Sequence, residues 1–226
     1  MSEPRTRLAL LSPHRVEAGD ADALAAAITA ACAAGDVAAV LLRLAPADER
    51  SLVNLVKRLA PVAQEAGAAV VVACTGFAGD LVSVSARGGA DGVHLDKARD
   101  GDLRDLRERL ADGRILGAGG HEQKHAAMEA GEAGVDYVMF GGLYADGIAP
   151  EAATVIERAS WWTEIFETPC IAVAHTQDEI GPILETGAEF LGLESALWIG
   201  DQADVTAIQA AVGQARIAAA ARDAAS

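Results

Sequence analysis

The stretch GDVAAVLLRLAPADERSLVNLVKRLAPVAQEAGAAVVVAC (Gly35–Cys74) contains the pattern that decides the fold. It begins with a short apolar run, Val37–Arg43, and ends with a second one, Ala69–Cys74. Between them, Pro46–Gly67 carries apolar residues at helical spacing. Strands that are apolar along their whole length, rather than at every second residue, are typical of parallel sheets covered on both faces. The stretch therefore predicts a strand–helix–strand unit of a parallel sheet.

The same unit recurs along the whole chain. The predicted strands are Arg7–Leu11, Val37–Arg43, Ala69–Cys74, Gly92–Leu95, Arg114–Gly117, Asp136–Gly141, Cys170–Ala174 and Glu189–Leu193. The predicted helices are Asp20–Ala34, Pro46–Gly67, Gly79–Gly88, Asp102–Ala111, His121–Ala133, Pro150–Glu167, Thr176–Glu185 and Ala203–Ala221. Eight such units are the number that closes a TIM barrel. We predict an α/β fold in which residues 1–226 form a single (β/α)8 barrel, with its site in the loops that follow the strands.

Composition and charge exclude several classes of protein. Of the 226 residues, 51% are hydrophobic, which is enough for a large core and argues against a disordered chain. A net charge of -15 disfavours nucleic acid and anionic membranes as partners, and no apolar stretch is long enough to span a membrane. Cys32, Cys74 and Cys170 lie in apolar segments, which predicts reduced core thiols and a cytoplasmic location. Self-association into a homo-oligomer stays open.

Five motifs occur in the same order as in one known family. They are GGADGVHL (Gly88–Leu95), ILGAGGH (Ile115–His121), AGVDYVMFGGLY (Ala133–Tyr144), TPCIAVA (Thr168–Ala174) and TGAEFLGLESAL (Thr186–Leu197). Together they resemble the thiamine-phosphate synthases over about Val37 to Leu197. The resemblance implies a Mg²⁺-dependent transferase that couples a pyrimidine pyrophosphate to a thiazole phosphate. A tautomerase branch of that family isomerises the thiazole instead.

The resemblance also implies which residues form the site. Arg43 matches a pyrophosphate-binding arginine, and Asp80 and Asp100 are the acids that would share the Mg²⁺ ion. His121 matches in position a histidine that the tautomerase branch uses for proton transfer. The remaining substrate-binding candidates are Gly119, Gly120, Gly141, Gly142, Tyr144, His175 and Ser195.

The chain departs from the family pattern mainly where phosphates would bind. Ala45 and Ala149 replace lysines, Gly119 replaces a serine, and Ala174-His175 replaces a Gly-Gly pair. After VHL the family shows Gly-Gln-x-Asp, whereas this chain has Asp96-Lys97-Ala98-Arg99 before Asp100. Thr176–Glu179 predicts a capping box that would occupy helix N–H groups otherwise available to a phosphate. We therefore expect weak or absent synthase activity.

Two alternatives remain beside a weak synthase. One is an isomerase of the tautomerase type, with His121 as acid and base. The other is a non-catalytic binding or regulatory barrel that takes a small molecule into its mouth. His121–His125 also spells HExxH on a predicted helix. A zinc protease is disfavoured because the helix follows a barrel strand and no third ligand is evident.

Overall fold

The computed structural model describes residues 6–97, 100–110, 113–121, 123–142, 148–200 and 203–223, without the side chains of 100, 101 and 218–223. Its strands are β1 (Arg7–Leu11), β2 (Val37–Arg43), β3 (Ala69–Ala73), β4 (Gly92–Asp96), β5 (Ile115–Gly119), β6 (Tyr137–Phe140), β7 (Cys170–Ala174) and β8 (Phe190–Leu193). They form one closed barrel in chain order, and every pairing is parallel. The barrel closes where Leu8 of β1 lies opposite Leu191 of β8. The predicted TIM-barrel fold is confirmed.

Helices follow the strands on the outside of the barrel. They are α1 (Ala21–Ala34), α2 (Glu49–Gln64), α3 (Leu81–Gly88), α4 (Asp100–Arg109), α5 (Lys124–Glu132), α6 (Ala152–Ile165), α7 (Gln177–Leu184) and α8 (Val205–Asp223). Two short 3-10 helices cover Ala18–Asp20 and Ser195–Leu197. Helix α2 begins after Asp48, whose carboxylate accepts a hydrogen bond from the Ser51 N–H at 3.0 Å. No helix in the described part of the chain is long and apolar enough to cross a membrane.

The region between β5 and α5 differs from its prediction. Strand β5 continues to Gly119 because its small residues go on pairing with β4, the last pair being Asp96 and Gly119. Helix α5 begins only at Lys124, after Gln123 in an extended conformation. The prediction of a helix from His121 was therefore wrong: His121 lies in the loop before the helix. The HExxH string accordingly loses the helical geometry that a zinc site of that type requires.

Apolar side chains form two cores, one between the strands and the helices and one inside the barrel. Trp162 of α6 is fully buried in the outer core, where its Nε1 donates to the Thr168 carbonyl at 2.7 Å. The inner core contains Ala9, Leu11, Leu41, Val71, Ala73, Tyr137, Met139, Ile171 and Val173. His94 of β4 is buried beside Tyr137, so polar groups lie within the barrel below its mouth.

Candidate active site

Arg43 and Glu194 meet because their strands both flank β1. Arg43 ends β2 and Glu194 directly follows β8. The Nη1 and Nη2 atoms of Arg43 donate to the two carboxylate oxygens of Glu194 at 2.6 and 2.7 Å. The Nε of Arg43 donates to the Ser12 carbonyl at 2.8 Å. Each of the two charged side chains is only 10% exposed. The pyrophosphate-binding candidate is thus neutralised by a bidentate ion pair inside the protein.

The predicted capping box at α7 has a different geometry. The Thr176 side chain makes no capping hydrogen bond, so that detail of the prediction was wrong. The Glu179 carboxylate instead accepts at 2.7 Å from the N–H of His175, the residue before Thr176. His175 also places Nε2 at 2.6 Å from the Gly141 carbonyl, so Nε2 carries the proton that is donated. An acid therefore occupies the N-terminal end of α7, where a phosphate would otherwise bind favourably.

A second polar group links the barrel interior to the mouth. The His94 Nδ1 lies 2.8 Å from the Tyr137 hydroxyl, and its Nε2 lies 3.3 Å from Oδ1 of Asp96. Burial, reinforced by the charges of Asp96 and Asp136, raises the pKa of Tyr137, so its hydroxyl stays protonated and donates to His94. The other ring nitrogen of His94 then donates to Asp96. This arrangement holds the Asp96 carboxylate in one orientation.

Asp96 stays ionised in this setting. Burial raises the pKa of its carboxyl, but the hydrogen bond from His94 and the nearby charge of Arg43 outweigh burial and lower the pKa overall. The side chain of Asp96 is 26% exposed, so its carboxylate reaches the mouth while the rest of the side chain is enclosed.

His121 lines a cleft at the mouth, formed where the ends of β5 and β6 meet α6. The cleft is lined in part by Gly120, His121, Met139, Gly142, Thr154 and Arg158. Burial, together with the charge of Arg158, lowers the pKa of His121 to about 4, although Asp96 acts in the opposite direction. Its Nε2 atom is buried and has no hydrogen-bond partner within the described residues. His121 therefore presents a neutral imidazole at the cleft at neutral pH.

The glycine candidates surround this region. A Cβ atom at Gly119 would lie 2.8 Å from Nε2 of His94 and 2.9 Å from Oδ1 of Asp96. Gly142 also approaches Asp96, since a Cβ there would lie 4.0 Å from the same oxygen. Gly120 and Gly141 have φ angles of 69° and 95°, which disfavour other residues. The structure thus brings the four predicted glycines together around Asp96 and the cleft.

The other predicted positions are engaged elsewhere or lie outside the described residues. Asp80 caps α3 through Oδ1, which accepts from the Val82 N–H at 3.1 Å, and its Oδ2 pairs with Arg109 at 2.7 Å. The N–H of Ser195 donates to Glu194 at 3.1 Å. The side chain of Asp100 and all of Tyr144 lie outside the described residues. Among the residues whose side chains are described, no cluster of three or more His, Cys, Asp or Glu could hold a metal ion.

Comparisons with known proteins place the chain in a family. A family profile described as thiamine monophosphate synthase matches residues 10–197. The chain belongs to the thiamine-phosphate synthase family. A thiamine-phosphate synthase of Rhodospirillum centenum is 36% identical over 194 residues, covering 85% of this chain and 89% of the relative. That of Erythrobacter litoralis is 35% identical over 205 residues, covering 89% and 92%.

A solved member of the family has the same architecture. A thiamine phosphate pyrophosphorylase from Pyrococcus furiosus superposes with a TM-score of 0.70 at 20% identity, over 92% of this chain and 96% of that one. At this level of identity the match concerns the fold alone. Membership of the family, taken with the closed barrel, makes this chain a thiamine-phosphate synthase-like barrel of thiamine biosynthesis.

The sequence did not predict the hydrogen-bonded contacts that Glu194, His94 and Tyr137 make in the site. The pairing of Glu194 with Arg43 was not foreseen. His94 and Tyr137 were quoted only as parts of family motifs. The available signal was that each is a polar residue within an otherwise apolar predicted strand.

Proposed function

We propose that this barrel has weak or no coupling activity and that its mouth binds a small molecule without a phosphate group. The observation that carries the proposal is the buried ion pair between Arg43 and Glu194. A pyrophosphate that bound to Arg43 would have to displace Glu194, and a buried carboxylate would then lose its counter-charge. Leaving one member of a buried pair uncompensated costs about 3–5 kcal/mol.

Two further features support the same conclusion. Glu179 already accepts the His175 N–H at the start of α7, so an incoming phosphate would meet a carboxylate there. Ala45, at the position of a family lysine, supplies no positive charge. Loss of a single preorganised electrostatic donor costs about a hundredfold or more in rate. The combined losses favour a ligand of lower negative charge than either substrate of the coupling reaction.

A coupling assay tests this proposal against the activity for which the relatives are named. The protein is incubated with pyrimidine pyrophosphate, thiazole phosphate and Mg²⁺, beside the Rhodospirillum centenum relative as positive control. We expect turnover at least about a hundredfold below the control. Comparable turnover that depends on Mg²⁺, and falls in Asp80→Asn and Asp100→Asn, would instead support the synthase with its predicted metal ligands. In that case, pyrophosphate would replace Glu194 as the ion-pair partner of Arg43.

The second candidate function is an isomerase of the tautomerase type. It is favoured by the neutral His121 imidazole, whose buried Nε2 has no partner in the described part of the chain. The neutral ring can accept a proton from one ligand atom and return it to another, so the isomerisation needs no co-reactant. His121→Asn should abolish thiazole isomerisation, followed by NMR of the substrate. His125→Asn, an exposed change on α5, is the matched control.

Native mass spectrometry of freshly purified protein addresses both the ligand and the assembly. A retained small molecule is expected in the mouth, and its mass would show whether it carries phosphate. The same spectrum reports whether the chain forms the homo-oligomer that the sequence leaves open.

A further inference from the structure

The segment that carries His121 is held from outside the barrel by α6. Nη1 of Arg158, on α6, donates to the His121 backbone carbonyl at 2.8 Å. The neighbouring Glu157 forms an ion pair with Lys124, the first residue of α5. The ammonium group of Lys124 also lies 4.9 Å from the centre of the Trp161 ring. Helix α6 therefore contacts the connection between β5 and α5 at two points.

This connection has little regular structure of its own to fix His121. Strand β5 ends at Gly119, and Gly120 after it has a φ angle of 69°, in the left-handed region. Gln123, before α5, is extended, and its side chain makes no capping hydrogen bond. Within the described residues, the backbone of His121 makes no hydrogen bond to another backbone group. The contact from Arg158 is therefore a direct constraint on where the His121 backbone lies.

Helix α6 is itself anchored in the outer core. Val155, Ala159 and Trp162 lie at helical spacing on one face of the helix and are at most 2% exposed. The guanidinium of Arg158 thus extends from a backbone that is fixed by packing. A side chain carried by a packed helix positions its partner more precisely than one carried by a loop.

The His121 imidazole lies in a position that its own ring contacts do not explain. His121 is 5% exposed, and its buried Nε2 has no hydrogen-bond partner in the part of the chain that is described. Enclosing a polar group without a partner costs free energy, and the ring would regain hydrogen bonds to water if its backbone moved outward. The enclosed position must therefore be held by other contacts of the residue. The hydrogen bond from Arg158 to the His121 carbonyl is such a contact.

We propose that Arg158 is a positioning residue for His121, whose hydrogen bond to the His121 carbonyl keeps the imidazole enclosed at the cleft. The inference rests on the isomerase candidate of the proposed function, in which His121 moves the proton, and it names the residue that holds His121 there. Among the described residues, the ionisable groups that act on His121 are His94 and Asp96 of β4 and Arg158 of α6. Burial and the positive charge of Arg158 lower the pKa of His121, while Asp96 raises it.

NMR of the full-length protein without substrate tests the proposal through two properties of the His121 ring. A pH titration gives its pKa, and a neutral gadolinium chelate in solution relaxes the ring protons in proportion to their exposure. Wild type should have a pKa of about 4 and little relaxation. In Arg158→Gln we expect the proton affinity of the ring to rise about tenfold or more, which moves its pKa towards 6.5. The relaxation should increase severalfold, because the ring becomes exposed.

Two further variants keep the result interpretable. Arg158→Lys retains a positive charge and a donor for the same carbonyl, and should lie between wild type and Arg158→Gln in both measurements. Arg107→Gln is the matched control, because Arg107 of α4 also donates to a backbone carbonyl, that of Arg114, at 2.7 Å. Arg114 directly precedes β5, at the opposite end of this strand from the cleft. Arg107→Gln should therefore leave both properties of the His121 ring unchanged.

A His121 ring as enclosed in Arg158→Gln as in wild type would overturn the inference. If Arg158→Gln folds poorly, the same result in Arg158→Lys would overturn it. A higher pKa without greater exposure would also contradict it, since this would be an effect of charge alone. Equal changes in Arg107→Gln would show that the effect is not specific to the contact with His121.

The isomerisation assay separates this failure from that of the proposed function. If wild type does not isomerise the thiazole, the isomerase candidate is wrong, whatever Arg158 does to the ring. If wild type isomerises it, Arg158→Gln should lower kcat in parallel with the exposure of the His121 ring. Unchanged kcat with an exposed ring would mean that enclosure of His121 does not serve the reaction.

Discussion

The carboxylate of Glu194 holds both terminal nitrogens of Arg43, at 2.6 and 2.7 Å, where the ends of β2 and β8 flank the end of β1. The same contact links the first and last parts of the barrel and removes a positive charge from its mouth. One pair of side chains therefore both sets the charge at this part of the mouth and bridges the two strands that flank β1.

Breaking this pair should destabilise the protein strongly. Glu194→Ala leaves a buried guanidinium without its counter-charge, and we expect the free energy of unfolding to fall by about 3–5 kcal/mol. Asp36→Ala breaks the Arg7–Asp36 pair, whose side chains are 41% and 47% exposed, and should cost about 1 kcal/mol or less. Urea unfolding of both variants provides the measurement. Equal losses would mean that the buried pair is no stronger than a surface pair.

The competition between Gly119 and Asp96 predicts non-additive mutations. Gly119→Ser should destabilise the protein by about 1–3 kcal/mol, because the new side chain crowds the Asp96 carboxylate. In the Asp96→Gly background the same change should cost less, because the contact with Asp96 is gone while the contact with Nε2 of His94, 2.8 Å from an added Cβ, remains. A double-mutant cycle by chemical unfolding measures this coupling. Gly19→Ser, at a position with nothing within 4 Å of an added Cβ, should be additive with Asp96→Gly.

The neutral state of His121 should make stability depend on pH. Its pKa falls from 6.5 to about 4 on folding, so between these values the unfolded chain binds more protons than the folded one. The stability that neutral His121 contributes is complete above pH 6.5 and is lost as the pH falls towards 4. The slope from this one group approaches about 1.4 kcal/mol per pH unit. Unfolding of wild type and His121→Asn across this range should show the slope reduced in the variant; parallel curves would contradict the assignment.

The sequence predicts the bounds of an element best where apolar side chains follow one another without interruption. Strands β1, β2 and β7 have the predicted bounds because each is an apolar run, apart from the terminal arginines of β1 and β2. Strand β5 was predicted too short because Gly117 and Gly119 carry no side chain that reports burial. The start of α5 was misplaced because the polar residues from His121 onward suit a helix and a loop equally well.

The site was predictable to a smaller extent. The position of candidate residues at the ends of strands follows from the barrel, and Gly119, Gly120, Gly141 and Gly142 do lie around one mouth. The partner of Arg43 could not be deduced, because Glu194 lies 151 residues away along the chain and meets it only through closure of the barrel. The sequence shows alanines at Ala45 and Ala149 in place of lysines, but it does not show that Glu194 neutralises the remaining Arg43.

Burial of Trp162 supplies a test of the outer core. Its ring stacks on Phe166 with centroids 4.1 Å apart and is fully buried. Trp162→Ala should lower the free energy of unfolding by about 3–5 kcal/mol through the loss of buried surface and the cavity left behind. Ile165→Ala, on the same helix but 61% exposed, should change it by about 0.5 kcal/mol or less. A similar loss for both variants would be inconsistent with the position of α6.

Isothermal titration calorimetry with inorganic pyrophosphate, thiazole phosphate and pyrimidine pyrophosphate tests the central claim, that Glu194 neutralises the anion site of this barrel. The titrations compare wild type with Glu194→Gln, each in the presence and absence of Mg²⁺. We predict no micromolar binding of any of the three anions to wild type, and measurable binding of pyrophosphate to Glu194→Gln, in which Arg43 is no longer neutralised. Micromolar binding of either phosphorylated substrate to wild type would contradict the claim.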